Sequence, residues 1–339
     1  MQNDVIARDA AAICERVKLD ELRDKIILVT GASGLLGTYF LATLAHLKQS
    51  GVRLEAIAQV RSELAPHTAE IIRRGGFQLA LVNVADHAEC SSLPEADVVI
   101  HSAGYAQPAI FMANPAATIQ VNTTATATLL QKVRPGGAFL FLSSSEVYSG
   151  LKKAVLNESD IGTTTPLHPR SSYIEGKRCG EAICNAYRST GIRAVSARLA
   201  LAYGPGTRQH DKRAMNAFIE KALCQGRIEL MDAGKAIRTY CYVSDAVEMM
   251  WQAALHGTQP VYNIGGHSTV TIGDLAQLIG NIIGVPVAFP STQSEVAGAP
   301  EEVRLDLSRV EVEFDKHNYV SLEDGLRATI EWQRGLYAA

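Results

Sequence analysis

The first 206 residues alternate between short apolar runs and longer segments with helical periodicity. The apolar runs, typical of buried strands, occupy residues 25–30, 53–60, 77–84, 96–104, 138–150 and 193–206. Helical patterns lie between most of them: one ends at Gly51, others cover residues 63–76 and 114–133, and another follows Tyr173. Strands separated by helices form parallel sheets with right-handed crossovers, so the pattern predicts an α/β fold with a doubly wound parallel sheet.

Beyond residue 200 the alternation gives way to shorter units, which predicts a smaller lobe over the strand ends. Residues 25–200 are expected to form the sheet domain, to which residues 237–265 return. The smaller lobe is predicted from residues 201–236 and 266–339, and residues 1–24 are predicted to add a helix ahead of the first strand. No repeat or low-complexity linker separates these parts, so we expect them to be intertwined.

Composition and charge exclude several classes of protein. With 47% apolar residues, 20% charged residues and a formal net charge of -3, the chain shows no imbalance that favours nucleic acid. No apolar run approaches the roughly 18 residues that a membrane span needs, and the first residues lack a signal-peptide pattern. The six cysteines show no metal-ligand spacing, so we expect no metal site and reduced thiols. The sequence therefore predicts a cytoplasmic protein that binds neither membrane nor nucleic acid.

A glycine motif follows the first predicted strand and opens the first predicted helix. Gly31, Gly34 and Gly37 in VTGASGLLG permit a tight turn, and helix N-terminal N–H groups would face a pyrophosphate. The pattern predicts a dinucleotide site with the Rossmann fold. The residues expected to contact the dinucleotide here are Gly31, Ser33, Gly34, Leu35, Leu36 and Gly37.

The end of the second strand bears on the choice between NAD and NADP. An acid there would accept hydrogen bonds from the ribose of NAD, whereas an arginine would pair with the extra phosphate of NADP. Val60 occupies the expected acidic position and Arg61 follows it, which favours NADP unless Arg61 is only a solvated surface residue. Asp86 is expected to cap a helix. The further residues expected near the cofactor are Arg61, Asn83, Val84, Ala103, Gly104, Asn122, Tyr173 and Lys177.

A tyrosine and a lysine lie four positions apart in PRSSYIEGKRCGEA, at the start of a predicted helix. Tyr173 and Lys177 would share one helical face, and a neighbouring ammonium favours the ionised form of a phenol. Tyr173 is therefore predicted to act as a base near neutral pH. Ser144, on the polar loop after a buried strand, can add a hydrogen bond to a substrate oxygen.

Together these motifs resemble the extended short-chain dehydrogenases/reductases, in the group of nucleotide-sugar epimerases, dehydratases and decarboxylases. The resemblance runs from Lys25 onward and rests on TGASGLLG, NPAATIQVN, SSSEVY, SYIEGK, YGPG, RTYCYVSDAV and YNIGG. It implies a Rossmann domain with a C-terminal substrate lobe, a nicotinamide cofactor, a nucleotide-sugar substrate and a homodimer formed through a helical bundle.

Within that group, SSSEVY followed by PRSSYIEGKRCGE is most similar to the UDP-glucuronate decarboxylases, which use NAD. This resemblance implies that Ser144 is a hydroxyl partner, Glu146 a catalytic carboxylate and Tyr173 the base that Lys177 supports. The residues implied at the substrate are Ser145, Arg170, Arg208 and Arg238. The expected reaction is transient oxidation at sugar C4, loss of the C5 carboxylate as carbon dioxide, and return of the hydride.

Three alternatives remain open from the sequence. The first is 4-epimerisation or 4,6-dehydration, although the dehydratases carry Asp-Glu where this chain has Ser145-Glu146. The second is an NADPH-consuming carbonyl reductase, which would suit Arg61 and Leu201, because the family usually has asparagine at the Leu201 position. The third is a Rossmann sensor or scaffold without turnover, which would need no base at Tyr173.

Overall fold

The computed structural model describes residues 2–62, 64–290 and 304–337, with side chains from residue 5 onward. Its strands are β1 Ile26–Thr30, β2 Glu55–Val60, β3 Gln78–Leu81, β4 Ala96–His101, β5 Val133–Ser144, β6 Arg193–Leu199, β7 Leu201–Tyr203, β8 Ile228–Glu229, β9 Ile237–Tyr242, β10 Val261–Ile264, β11 Ser268–Thr271 and β12 Val287–Ala288.

The helices lie between and beyond these strands. They are α1 Gln2–Arg16, α2 Leu35–Gln49, α3 Pro66–Gly75, α4 His87–Ser91, α5 Pro108–Ala113, α6 Pro115–Asn122, α7 Thr124–Leu130, α8 Ser171–Tyr187, α9 Ala214–Gln225, α10 Val243–His256, α11 Ile272–Ile283, α12 Ser308–Phe314 and α13 Leu322–Tyr337.

Seven of the strands form one parallel sheet in the order β10-β6-β5-β4-β1-β2-β3. The apolar residues of β1 and β4 are buried on both faces, as expected of a parallel sheet covered by helices. The strand order reverses between β1 and β4, whose ends lie side by side with Thr30 paired to His101. Such a reversal opens a crevice at the carboxyl ends of the strands, where α/β proteins bind ligands. The predicted doubly wound parallel sheet is confirmed.

The remaining strands form two small sheets. β9 lies between β11 and β7 in one, and β12 pairs with β8 in the other. β10 belongs to the large sheet, where it pairs with β6. The chain thus crosses between the sheets more than once after β6, although the division into lobes stays a proposal.

The first helix is held against the sheet domain by a buried carboxylate. Asp9 of α1 accepts hydrogen bonds from the hydroxyls of Tyr39 in α2 and Tyr242 in β9, each at 2.8 Å. Burial raises the pKa of Asp9, and the two hydroxyls oppose that rise. α1 therefore fastens the helix after the glycine turn to the strand that precedes α10.

The single helix predicted for residues 114–133 is instead two helices, α6 and α7, separated at Thr123. Thr123 has φ -118° and ψ -74°, outside regular helical geometry. Its hydroxyl donates to the carbonyl of Ile119 at 2.8 Å, and Thr126 donates likewise to Asn122 at 2.8 Å. Threonine hydroxyls that bond to the preceding turn bend helices, so the threonine-rich sequence explains the break.

Candidate active site

The glycine turn between β1 and α2 packs so closely on neighbouring backbone that no side chain would fit at its first or third glycine. Gly31 has φ +65°, and a Cβ there would lie 2.6 Å from the Cα and N atoms of Ala103. A Cβ on Gly37 would lie 2.3 Å from the carbonyl oxygen of Gly31, so the helix packs directly on the turn. Gly34 is the exposed N-cap of α2. Free N–H groups at a helix N-terminus fit a pyrophosphate, so these residues suit the dinucleotide.

Two buried side chains brace this turn, and sequence reasoning missed both. Gln59 of β2 accepts from the N–H of Gly31 at 3.0 Å and donates to the carbonyl of Val82 at 2.5 Å. His101 of β4 bonds Thr30 at 2.8 Å through Nδ1 and the carbonyl of Val121 at 2.9 Å through Nε2. Since only a protonated Nε2 can donate to that carbonyl, Nδ1 accepts from the Thr30 hydroxyl.

The residues expected at the adenosine end lie around the ends of β2, β3 and β4. Val60 is buried, whereas Arg61 is exposed and donates to the hydroxyl of Tyr105 at 2.5 Å. Val84 is buried, and the carboxylate of Glu89 accepts from the N–H of Asn83 at 2.7 Å. The predicted Asp86 cap is confirmed, since its carboxylate accepts from the N–H of Glu89 at 3.0 Å. At the end of β2 the expected NAD-type acid is therefore absent, and the buried Val60 in its place is followed by an exposed guanidinium.

Tyr173 and Lys177 lie on the inner face of α8, against the end of β5. The Tyr173 side chain is hydrogen-bonded to Ser144, the last residue of that strand. The ammonium of Lys177 lies 5.6 Å from the centre of the Tyr173 ring and donates to the carbonyl of Leu142 at 2.5 Å. A Cβ on Gly104 would lie 3.9 Å from that ammonium. The three residues that the sequence placed together are therefore together, beside the loop after β4.

The titration of this pair differs from the expectation of a depressed phenol pKa. Burial raises the pKa of Tyr173 to about 12, and the Ser144 hydrogen bond only partly offsets it. Burial also lowers the pKa of Lys177 to about 7, which the Glu181 carboxylate opposes. Both shifts have one cause, since a dry site disfavours the charged form of either group.

Glu146 and Arg170 form an ion pair beside Tyr173. Arg170 Nη2 donates to Glu146 Oε1, while Ser149 donates to Oε2 at 3.3 Å. Each of the paired side chains is about a quarter exposed, and Arg170 Nε is buried with no partner among the described residues. A carboxylate and a cation therefore both remain within reach of a ligand.

Phe111 of α5 covers Tyr173 and Arg170, and the sequence did not predict it. Its ring stacks on Tyr173 with centroids 4.6 Å apart and planes 12° apart, and the Arg170 guanidinium lies 5.5 Å from its centre. The contact joins a segment 62 positions before Tyr173 to the active-site helix, so no local signal could have found it.

A second ion pair, which is buried, lies behind the site and supports it. Glu181, one turn beyond Lys177 on the same face of α8, accepts from Arg198 at 2.7 Å and from Ser143 at 2.5 Å. Arg198 also donates to the hydroxyl of Tyr148 at 2.9 Å, and Tyr148 donates to Asn263 at 2.6 Å. Extending the four-residue spacing from Tyr173 through Lys177 would have identified Glu181.

The remaining predicted residues lie at several places. Asn122 is fully buried, and its Oδ1 has no partner among the described residues. Ser145 begins a short 3₁₀ helix, Ser145–Tyr148, after β5. Arg238 lies on β9 and donates to the carbonyl of Ile237 at 2.7 Å, so its contact with substrate stays a prediction. Arg208, also expected at the substrate, donates to the carbonyl of Ser33 in the glycine turn at 3.1 Å, and its contact with substrate likewise stays a prediction.

Two further kinds of site were sought in the parts of the chain that the structure describes. There, no helix has the length and apolar character required to cross a membrane. Within the same residues, no group of three or more histidine, cysteine, aspartate or glutamate side chains could hold a metal ion.

Comparisons with known proteins agree with this architecture. The chain is 28% identical to UDP-glucuronic acid decarboxylase 1 of Xenopus tropicalis over 318 residues, which covers 93% of this chain and 74% of that protein. It is 27% identical to dTDP-4-dehydro-6-deoxy-D-allose reductase of a Streptomyces species over 328 residues, covering 93% of this chain and 98% of that protein. The crystal structure of UDP-glucose 4-epimerase with UDP-glucose from Thermotoga maritima superposes with a TM-score of 0.78 at 25% identity, covering 92% of this chain and 99% of that one.

The family assignment rests on a match that covers more than half of the chain. The sequence pattern of the NAD dependent epimerase/dehydratase family matches residues 27–265, which hold the glycine turn and the Ser144, Tyr173 and Lys177 group. A nicotinamide-dependent enzyme of the extended short-chain dehydrogenase/reductase type accounts for both the fold and the site. The chain belongs to the NAD dependent epimerase/dehydratase family.

Proposed function

We propose that the protein modifies a nucleotide sugar by transient oxidation at C4, and that its reaction is decarboxylation of a UDP-hexuronate. One observation carries the proposal: the hydrogen-bonded Ser144 and Tyr173 lie between Lys177 on one side and the Glu146–Arg170 ion pair on the other. A sensor or scaffold would need no such group. The relatives named UDP-glucuronic acid decarboxylase support the choice of substrate.

The glycine turn and the loop after β4 would hold the nicotinamide dinucleotide. When bound, this cofactor accepts and later returns a hydride and, in its oxidised form, brings a positive charge to the site. Gly31 and Gly37 allow the tight turn that places Gly34 at the N-terminus of α2, and Gln59 keeps the N–H of Gly31 oriented. We assign Asn83, Val84, Ala103 and Gly104 to its borders, with Asn122 as a polar support behind α8.

Tyr173 would take the proton of the sugar C4 hydroxyl, with Ser144 hydrogen-bonded to the same oxygen. Because burial holds the phenol pKa near 12, proton removal requires positive charge close to the ring. Lys177 can supply that charge or pass the proton on, since its pKa near 7 leaves both of its forms populated at neutral pH.

Glu146 and Arg170 would act on the carboxylate side of the sugar ring. A ketone at C4 is beta to the C5 carboxylate, so the C5–C6 bond can break with its electron pair moving to the C4 oxygen. Carbon dioxide leaves, and C5 then takes a proton. Arg170 is positioned to orient a carboxylate, and Glu146, held by Arg170 and Ser149, can relay the proton.

A second candidate is an NADPH-consuming reductase that acts on a nucleotide keto-sugar. Two observations favour it: Val60 followed by Arg61, rather than an acid, at the end of β2, and similarity to a dTDP-4-dehydro-6-deoxy-D-allose reductase over 98% of that protein. Leu201, exposed on β7 where the family usually carries asparagine, leaves room for a different nucleotide. Such an enzyme would use the same base but would consume cofactor stoichiometrically.

The proposal includes NADP rather than NAD as the preferred cofactor, because Arg61 can pair with a ribose phosphate and Val60 cannot bond a ribose hydroxyl. It also includes a homodimer. Ile110, Met112 and Ile119 are each more than 40% exposed along α5 and α6, as an apolar face for a second copy would be. A cytoplasmic location is consistent with the six cysteines, which are all free.

The proposal is tested by incubating the purified protein with UDP-glucuronate, without added cofactor, and identifying the product by mass spectrometry. Tyr173→Phe should lower turnover by about 10²- to 10⁴-fold and leave cofactor binding intact. Tyr187→Phe, a matched change on the outer end of the same helix, should leave turnover unchanged. Normal turnover in Tyr173→Phe would refute the chemistry. Absence of any product from wild type, with NADPH consumed on a keto-sugar, would establish the reductase instead.

A further inference from the structure

Glu181 lies one helical turn beyond Lys177 on the inner face of α8. Residues four positions apart on a helix have Cβ atoms about 5–6 Å from each other, so the carboxylate stands close to the ammonium. Both side chains are buried, since Lys177 is 5% exposed and Glu181 is 8% exposed. Solvent screens charges little in such a place, so the carboxylate acts strongly on the ammonium.

The groups that Lys177 contacts directly carry no charge. Its ammonium donates to the carbonyl of Leu142 at 2.5 Å and lies 4.8 Å from the centre of the Phe141 ring. A carbonyl oxygen and an aromatic face both favour a cation, but they do not replace the water lost on burial. Burial accordingly lowers the pKa of Lys177 to about 7, and the negative charge of Glu181 is the main influence that opposes it.

The other ionisable groups around Lys177 bring no comparable negative charge. Burial raises the pKa of the Cys184 thiol and lowers the pKa of His101 on β4 to about 4, so both are neutral at pH 7. Glu146, beside Tyr173, is paired with Arg170. The helices α5, α6 and α7, which pack on α8, carry no ionisable side chain. The remaining groups on the packed elements are Tyr148, Tyr173 and Arg198.

Arg198 on β6 keeps the Glu181 carboxylate ionised. Its guanidinium bonds both carboxylate oxygens, and Ser143 donates to Oε1 as well. A buried carboxylate without such donors would take up a proton, so the negative charge depends on this pairing. Arg198 also donates to the hydroxyl of Tyr148, after the end of β5. The cation is thus carried by the sheet, whereas the carboxylate is carried by the same helix as Lys177.

We propose that Glu181 is a positioning residue of the reaction: its carboxylate, held by Arg198, is a fixed negative charge that keeps the proton on Lys177. The inference rests on the proposed function, in which the charge of Lys177 favours removal of the Tyr173 proton. Without the carboxylate, burial would leave the amine neutral at neutral pH, and the buried phenol would lose the cation that its ionisation requires.

The charge of Glu181 can be separated from its contribution to stability. Removing one partner of a buried ion pair destabilises a protein, whereas replacing both partners by neutral side chains of similar volume is often neutral or stabilising. A variant in which Glu181 and Arg198 are both neutral can therefore keep its fold and still lack the negative charge beside Lys177.

The test is the titration of Lys177 in the cofactor-free protein, followed by NMR of ¹³C-labelled lysine side chains from about pH 5 to about pH 9. The signal of Lys177 is the one that is absent in Lys177→Arg. Glu181→Gln should lower its midpoint by about one pH unit or more. In Glu181→Gln with Arg198→Met the midpoint should still lie below that of the wild type. Glu181→Asp keeps the charge and should lower the midpoint by less than about half a unit.

Turnover of UDP-glucuronate gives a second readout. Above both midpoints, a midpoint one unit lower reduces the charged fraction of Lys177 about tenfold. In Glu181→Gln, kcat at about pH 8 should therefore fall about tenfold, with KM nearly unchanged. Glu175→Gln is the matched control, because Glu175 lies on α8 but pairs with Arg178 at 2.7 Å, and it should change neither the midpoint nor kcat.

The contrary outcomes distinguish this inference from the proposed function. If Glu181→Gln leaves the midpoint of Lys177 unchanged, or if adding Arg198→Met restores it to the wild-type value, the pair serves stability alone and the inference is refuted. An equal shift in Glu181→Asp and Glu181→Gln would refute it as well, because charge would then not be the cause. Should Glu181→Gln alone fail to fold, the double variant decides by the same criterion. If the midpoint shifts but the wild type does not convert UDP-glucuronate, the proposed function fails and the effect of Glu181 on Lys177 stands.

Discussion

The buried pair of Glu181 and Arg198 offers a sharp test of how the site is supported. In Glu181→Gln, the Arg198 guanidinium loses a carboxylate that it contacts at 2.7, 2.9 and 3.2 Å, while Ser143 loses its charged acceptor. Both side chains of the pair are less than 10% exposed, so water cannot replace the carboxylate. Breaking such a pair by removing one partner destabilises a protein by roughly 3–5 kcal/mol. The glutamine oxygen can still accept one bond, so we expect about 3 kcal/mol.

Urea unfolding followed by tryptophan fluorescence measures this loss, because Trp251 and Trp332 are both buried. Glu323→Gln is the control: it breaks an exposed pair with Arg327, and we expect about 0.5 kcal/mol or less. A double-mutant cycle with Arg198→Gln should give a coupling energy of about 2 kcal/mol. Activity should fall as well, because Glu181 supports the charged form of Lys177. A loss below about 1 kcal/mol in Glu181→Gln would show that the buried pair contributes little to the stability of the fold.

Three further predictions follow from the site. Burial lowers the pKa of His101 to about 4 from 6.5, so the folded state binds fewer protons than the unfolded state in that window. About 3 kcal/mol of stability, present above pH 6.5, should be lost as the pH falls through 4. In urea unfolding from pH 7 to pH 4, the free energy of unfolding should fall less steeply with pH for His101→Asn than for the wild type, and an equal slope would contradict this. Phe111→Leu should admit water to Tyr173 and lower the pKa of its phenol. This pKa is measured from the ultraviolet titration step that is absent in Tyr173→Phe, and an unchanged pKa would show that Phe111 does not shield Tyr173 from water. Glu146→Gln should slow steps at C5 more than oxidation at C4, so a keto intermediate should accumulate in mass spectra; an unchanged product profile would make Glu146 structural.

Sequence spacing was sufficient to predict the site residues that lie on one element or at its end. The glycine turn follows its strand within three residues, and the four-residue spacing fixes the face shared by Tyr173 and Lys177. Ser144 was predictable because parallel strands end at one edge of the sheet, beside the helix that follows in the chain. These features require no knowledge of distant contacts.

Contacts between distant segments could not be predicted in the same way. Phe111 reaches Tyr173, and Arg208 reaches Ser33, across 62 and 175 positions. The prediction of a lowered phenol pKa was wrong for a related reason. The burial that raises the pKa of Tyr173 depends on packing by several elements, whereas the sequence spacing revealed only the neighbouring lysine. The helix break at Thr123 depends on hydroxyl groups that compete with the backbone, which periodicity alone does not detect.

The central claim is that the hydride leaves C4 and returns to it within one enzyme, and an isotope at C4 tests it most directly. The measurement is incubation with UDP-glucuronate that carries deuterium at C4, without added cofactor, followed by mass spectrometry and NMR of the sugar. We predict that the product is a UDP-pentose that keeps its deuterium at C4 and gains a solvent proton at C5, and that no cofactor is consumed. Loss of the deuterium from C4, or recovery of intact UDP-glucuronate, would contradict it.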